Sequence, residues 1–65
     1  MKTYQYLEPD NEGNPITITR TEEEILFEYF YYWSFKMIKA DKADKITTQN
    51  CIKDWIVLHW AEELL

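Results

Sequence analysis

The sequence predicts a small α+β domain: an N-terminal β-hairpin packed on an antiparallel pair of α-helices, ββαα in chain order. Three observations predict it. Two short alternating segments flank a run of turn formers near the N-terminus. A capping signature at Thr21 opens a stretch without Gly or Pro. A threonine pair, Thr47 and Thr48, precedes a second apolar stretch that reaches Glu63.

The hairpin comes first. In "TYQYL", Tyr4 and Tyr6 fall on one face; in "ITITR", Ile16 and Ile18 fall on one face and Thr17 and Thr19 on the other. Between them "EPDNEGNP" is dense in turn formers and holds the chain's single glycine, Gly13. Alternation interrupted by turn residues reads as two strands joined by a long loop. Pro15 stands at the start of the second strand, where its missing N–H is tolerated. Two strands alone are marginal in water, so the ribbon must lie on something.

The first helix supplies that support. Thr21 followed by Glu24 is a capping box, and Glu22, Glu23 and Glu24 set negative charge against the positive end of a helix. Lys36 and Lys39 suit the last turn. Seven aromatics between Phe27 and Phe35 favour strands by propensity, but the caps, charge polarity and uninterrupted length outweigh that. A helix from Glu22 to about Lys39 follows. "ADKADKI" turns the chain, and Thr47 or Thr48 caps a second helix from about Gln49 to Glu63.

Wound at helical pitch, the first helix shows two apolar stripes. Leu26, Phe30, Trp33 and Met37, flanked by Ile25 and Tyr29, form the stripe expected to face the core. Phe27, Tyr31, Phe35 and Ile38 form another on the opposite side. Glu28, Tyr32, Lys36 and Lys39 make a narrow polar strip in which the Tyr32 hydroxyl stays wet. On the second helix, Cys51, Ile52, Trp55, Ile56 and His59 make one broad face, and Val57, Trp60 and Leu64 lie away from it. The ribbon can cover one outer stripe, through its Tyr4, Tyr6, Ile16 and Ile18 face. One stripe is left over, either as ordinary exposed apolar surface or as an interface with a partner or a second copy.

Sixty-five residues make one domain near the lower limit for folding without a staple. One cysteine excludes an internal disulfide, and one Cys with one His cannot build a structural zinc site. Twelve acids against seven bases, a net charge of −5, argue against gripping a phosphate backbone. No apolar run approaches the length of a membrane span, and "MKTYQYLEP" lacks a signal-peptide core. A free thiol without a targeting signal points to the cytoplasm.

Little in the chain suggests chemistry. His59 with Glu62 and Glu63 places carboxylates three and four residues on, a spacing that could orient an imidazole, yet a packed helix-terminal histidine explains it better. Cys51 near a helix N-terminus could have a lowered pKa, but no oxyanion loop or second acid–base pair accompanies it, and a small core residue is the better reading. No phosphate-binding glycine loop is present. The expectation is a binding protein, with no catalytic residue, cofactor or metal. Its expected contact residues are Phe27, Tyr31, Phe35, Ile38 and Trp60, with Glu22, Glu23 and Glu28. The hairpin loop, with Glu8, Asp10 and Glu12, is expected to join the first helical turn in one acidic edge.

At "TEEEILFEYFYYWSFKM" followed by "TTQNCIKDWIVLHWAEEL", the chain resembles short uncharacterised reading frames of tailed phages and environmental bacteria. Small acidic phage products include inhibitors of host enzymes and of defence systems, anti-CRISPR proteins among them. The resemblance carries no activity of its own; small size and acidic charge, with the aromatic face, point to an inhibitor or adaptor acting on a host or defence protein, and a homo-oligomerising domain with no separate target is the alternative.

Overall fold

A computed structural model describes residues 2–64. Strand β1 (Thr3–Pro9) and strand β2 (Pro15–Thr21) form the hairpin, followed by helix α1 (Glu22–Lys39), a 3-10 turn (Ala43–Lys45), helix α2 (Thr48–His59) and strand β3 (Glu62–Leu64). The sheet is antiparallel with order β2-β1-β3, and both helices pack on one of its faces. This is the α+β hairpin-on-helices arrangement the sequence predicts, with one strand more.

Asp10 organises the hairpin loop. Its Oδ1 accepts from the Glu12 and Asn14 amides at 2.9 and 2.8 Å, and its own N–H donates to the Asn14 carbonyl. Gly13 takes φ +84°, a left-handed conformation that a side chain would strain. Register then runs without a bulge from Pro9↔Pro15 to Thr3↔Thr21. Tyr4 and Tyr6 therefore share a face with Arg20, Ile18 and Ile16, and that face meets the helices.

The capping box opens α1: the Glu24 amide donates to Thr21 Oγ1 at 3.2 Å, and the Thr21 amide donates to Glu24 Oε1 at 2.9 Å. Thr47 caps α2, accepting from the Asn50 amide at 3.0 Å. Both helices end in the same way. Asp41 donates to the Ile38 carbonyl and Lys42 to Met37; Trp60 donates to Val57 and Ala61 to Ile56. These are Schellman closures, and Asp41 and Trp60 take the left-handed conformation they require, at φ 59° and 57°.

The core is Tyr4, Ile25, Tyr29, Trp33, Cys51, Ile52 and Trp55. It draws on one strand and both helices. Tyr6 seals its edge, meeting Trp55 edge-on at 5.4 Å and stacking on His59 at 4.3 Å. Tyr29 donates its hydroxyl to Asp54 Oδ2 at 3.1 Å and ties α1 to α2.

Three expectations need correction. Helix α2 does not reach Glu63: it stops at His59, and after Trp60 the chain reverses to pair Glu62 with Gln5, Glu63 with Tyr4 and Leu64 with Thr3. Pairing on the free edge of β1 gives the backbone of Glu62–Leu64 the partners that a continued helix would have supplied, and it satisfies that edge as well. Glu62 and Glu63 therefore do not oppose a helix dipole. The buried line of α1 is Ile25, Tyr29 and Trp33, with Leu26, Phe30 and Met37 only half-buried. The sheet presses on the Ile25 side and turns the core face by a fraction of a turn. Finally, the acids do not form one edge. The hairpin loop lies at the Pro9↔Pro15 end of the ladder and the first turn of α1 at the Thr3↔Thr21 end, about 20 Å apart at strand rise.

Candidate protein-binding surface

The second apolar stripe of α1 is uncovered. Phe27 is 92 % exposed, Tyr31 77 %, and Phe35 and Ile38 each more than half. The hairpin leans on the Ile25 side of the helix, so it leaves this face to solvent. Tyr31 and Phe35 pack edge-to-face at 5.2 Å, and the Lys36 ammonium sits 5.6 Å from the Tyr32 ring centre. Tyr31, Tyr32, Phe35, Lys36 and Lys39 line a groove of about 270 Å³. At the other end of the same face Phe27 stands among Arg20, Glu23, Glu24 and Glu28, beside a shallow depression.

Charge divides along this face as it does along the sequence. Glu23, Glu24 and Glu28 flank Phe27, and Lys36 and Lys39 flank Phe35. The Arg20 guanidinium pairs with the Glu28 carboxylate, which raises the Arg20 pKa further. Glu24 is spent on the cap, and its carboxyl is held below the usual range chiefly by the Thr21 amide. Glu22, expected as a contact residue, lies half-buried at the strand–helix junction, where its amide donates to the Lys2 carbonyl at 3.3 Å. Burial, and then the nearby charges of Glu22 and Glu63, raise the Tyr4 hydroxyl pKa.

Trp60 marks a second surface. It is 89 % exposed although it occupies a left-handed backbone position. Gln5, Tyr6, Leu7, Thr17, His59 and Glu62 share a cavity of about 350 Å³ with it, and the exposed Val57 and Leu58 lie just before it on α2. Its place at the helix end comes from the Schellman closure, which the sequence does not signal.

The groups weighed for chemistry are placed differently. His59 packs against both Tyr6 and Trp55, at 4.3 and 4.9 Å between ring centres, in a three-ring cluster. Since α2 ends at His59, the helical spacing to Glu62 and Glu63 is lost. Cys51 is fully buried, and burial followed by the Asp54 charge pushes its thiol up to about 11. That is opposite to the lowering a helix N-terminus would give. Among the described residues no cluster of three or more His, Cys, Asp or Glu side chains is placed to hold a metal ion. No described helix is long and apolar enough to cross a membrane.

Comparison with known protein families, with curated proteins and with solved structures finds no match. The surface itself carries the functional reading.

Proposed function

We propose that this chain is a small protein-binding module acting through the outer face of α1 and the Trp60 corner. The observation that carries the reading is the exposure of Phe27, Tyr31, Phe35 and Ile38 on the side of α1 opposite Ile25, Tyr29 and Trp33. Burying one such side chain is worth about 1.5–3 kcal/mol, and here that stabilisation is left unused in a chain with little core to spare. Aromatic residues are also the types concentrated at interface centres. Trp60 adds independent support, because a left-handed position favours glycine and an exposed indole gives nothing back to the fold.

The narrower form of the proposal is a cytoplasmic inhibitor or adaptor that docks on a host or defence protein, as anti-CRISPR proteins do. Small size, a net charge of −5 and the free thiol support it. The test is a paired measurement on the wild type, on Phe27→Ser with Phe35→Ser, and on Trp60→Gly. Thermal unfolding is followed beside affinity capture from host lysate with mass spectrometry. The expected result is that the Phe27 and Phe35 variant keeps the wild-type transition, that the Trp60 variant is no less stable than the wild type, and that both lose the captured protein. If the Phe27 and Phe35 replacements unfold the monomer, that stripe is core and the proposal fails.

A further inference from the structure

The geometry points to a second copy of this chain as the occupant of the α1 face, in an antiparallel two-fold pair. This inference rests on the binding role proposed for that face and names its partner. Phe27, Tyr31, Phe35 and Lys39 follow one another at intervals of four, and so form one continuous ridge along the exposed side of α1. The groove of Tyr31, Tyr32, Phe35, Lys36 and Lys39 is the furrow between that ridge and its neighbour. Ridges spaced by four residues pack into each other's furrows in the commonest class of helix crossing, at about 50°. Each face therefore presents both a ridge and the furrow that receives one, as a self-complementary two-fold interface requires.

Charge chooses the direction. The Phe27 end carries Glu23, Glu24 and Glu28 beside Arg20, which pairs with Glu28, so it stays net negative, and the Phe35 end carries Lys36 and Lys39. A parallel pair would set acid against acid and base against base. An antiparallel pair sets the acidic end of each copy toward the basic end of the other, and it also opposes the two helix dipoles. With Tyr31 near the two-fold axis, Phe27 of each copy falls on the Tyr31–Phe35 furrow of the other. At their exposures the three rings and Ile38 offer roughly 500 Å² per copy, so through them a pair covers at most about 1,000 Å², the threshold of a specific interface. The Trp60 corner, on a different element, stays available to the captured protein, which a pair holds bivalently, so losing the pairing through Phe27 and Phe35 also weakens capture.

The experiment is light scattering across a concentration series, on the wild type and on two charge variants measured singly and mixed. One variant carries Lys36→Glu and Lys39→Glu; the other carries Glu23→Lys and Glu28→Lys. The wild type should approach twice its 8.0 kDa mass as concentration rises. Each variant alone should dissociate at least about tenfold more readily, and an equimolar mixture should pair again. Tyr31→Cys should form an interchain disulfide under mild oxidation, whereas Glu23→Cys, far from the axis, should not. A wild type that stays monomeric to millimolar concentration overturns the pairing. Equal crosslinking at both positions overturns the antiparallel arrangement. Neither result bears on the wider binding role, which fails if the Phe27→Ser, Phe35→Ser protein is unfolded at concentrations where the wild type is monomeric, or if it folds and captures as much as the wild type.

Discussion

Two side chains show how this fold distributes its costs among single residues. Trp60 stands where the chain reverses with φ 57°, and for a residue other than glycine that conformation costs about 1–2 kcal/mol. Its indole is almost wholly exposed, so truncation removes little packing. Trp60→Gly should therefore raise stability by about 1 kcal/mol, an increase in Tm of about 4–8 °C for a chain of this size. A calorimetric Tm that falls instead would mean that the indole packs on the sheet. Tyr29 works in the opposite sense. Its hydroxyl leaves the core only to reach Asp54, and burial followed by that hydrogen bond pushes its pKa up to about 12. Tyr29→Phe keeps the ring and loses the bond, at about 1 kcal/mol by denaturant titration. Ser34 has no such partner: its hydroxyl is buried and unbonded among the described residues. Ser34→Ala should be neutral or stabilising by about 0.5 kcal/mol, with helix propensity in its favour.

At the scale of elements, the third strand changes what the hairpin is. Without β3 the ribbon would have two strands and two open edges; with it, β1 is central and paired on both sides. Ending the chain at Ala61 should cost about 1–2 kcal/mol from three lost cross-strand pairs, measured as a fall in the urea midpoint. The strand was not legible in the sequence. "AEELL" has good helix formers and neither Gly nor Pro, and the residue that ends α2 is a tryptophan, which signals no stop. Alternation, by contrast, located both hairpin strands, and the Thr21–Glu24 box located the start of α1. Helical pitch separated the two stripes of α1, because the i+4 spacing of Phe27, Tyr31 and Phe35 holds whatever packs behind them. It placed the buried line slightly off, since the pressure of the sheet on Ile25 is a tertiary effect. The acidic edge failed for a similar reason. Charges near in sequence were counted together, while the hairpin carries them to opposite ends of the ladder.

Across the whole molecule, stability depends on a core of seven buried residues, three of which titrate only in alkali. Cys51 is raised from 9.0 to about 11 and Tyr29 from 10.0 to about 12, and burial is the first cause in each. Both stay protonated in the fold at pH values where the unfolded chain loses the proton. The stability they contribute is fully present below pH 9 and is lost as pH rises toward 12. Tm should be level from pH 7 to about 8.5 and then fall steadily; Tyr29→Phe should make that fall shallower, and an unchanged slope would count against the assignment. Cys51 has a use beyond this. It is the chain's only thiol, and it lies in the core with Tyr4, Trp33 and Trp55, fully out of reach of solvent. A thiol reagent can meet it only when the domain opens, so at reagent concentrations where labelling outpaces reclosing its rate counts opening events without denaturant. The sequence thus carries its own clock for how often so small a core comes apart.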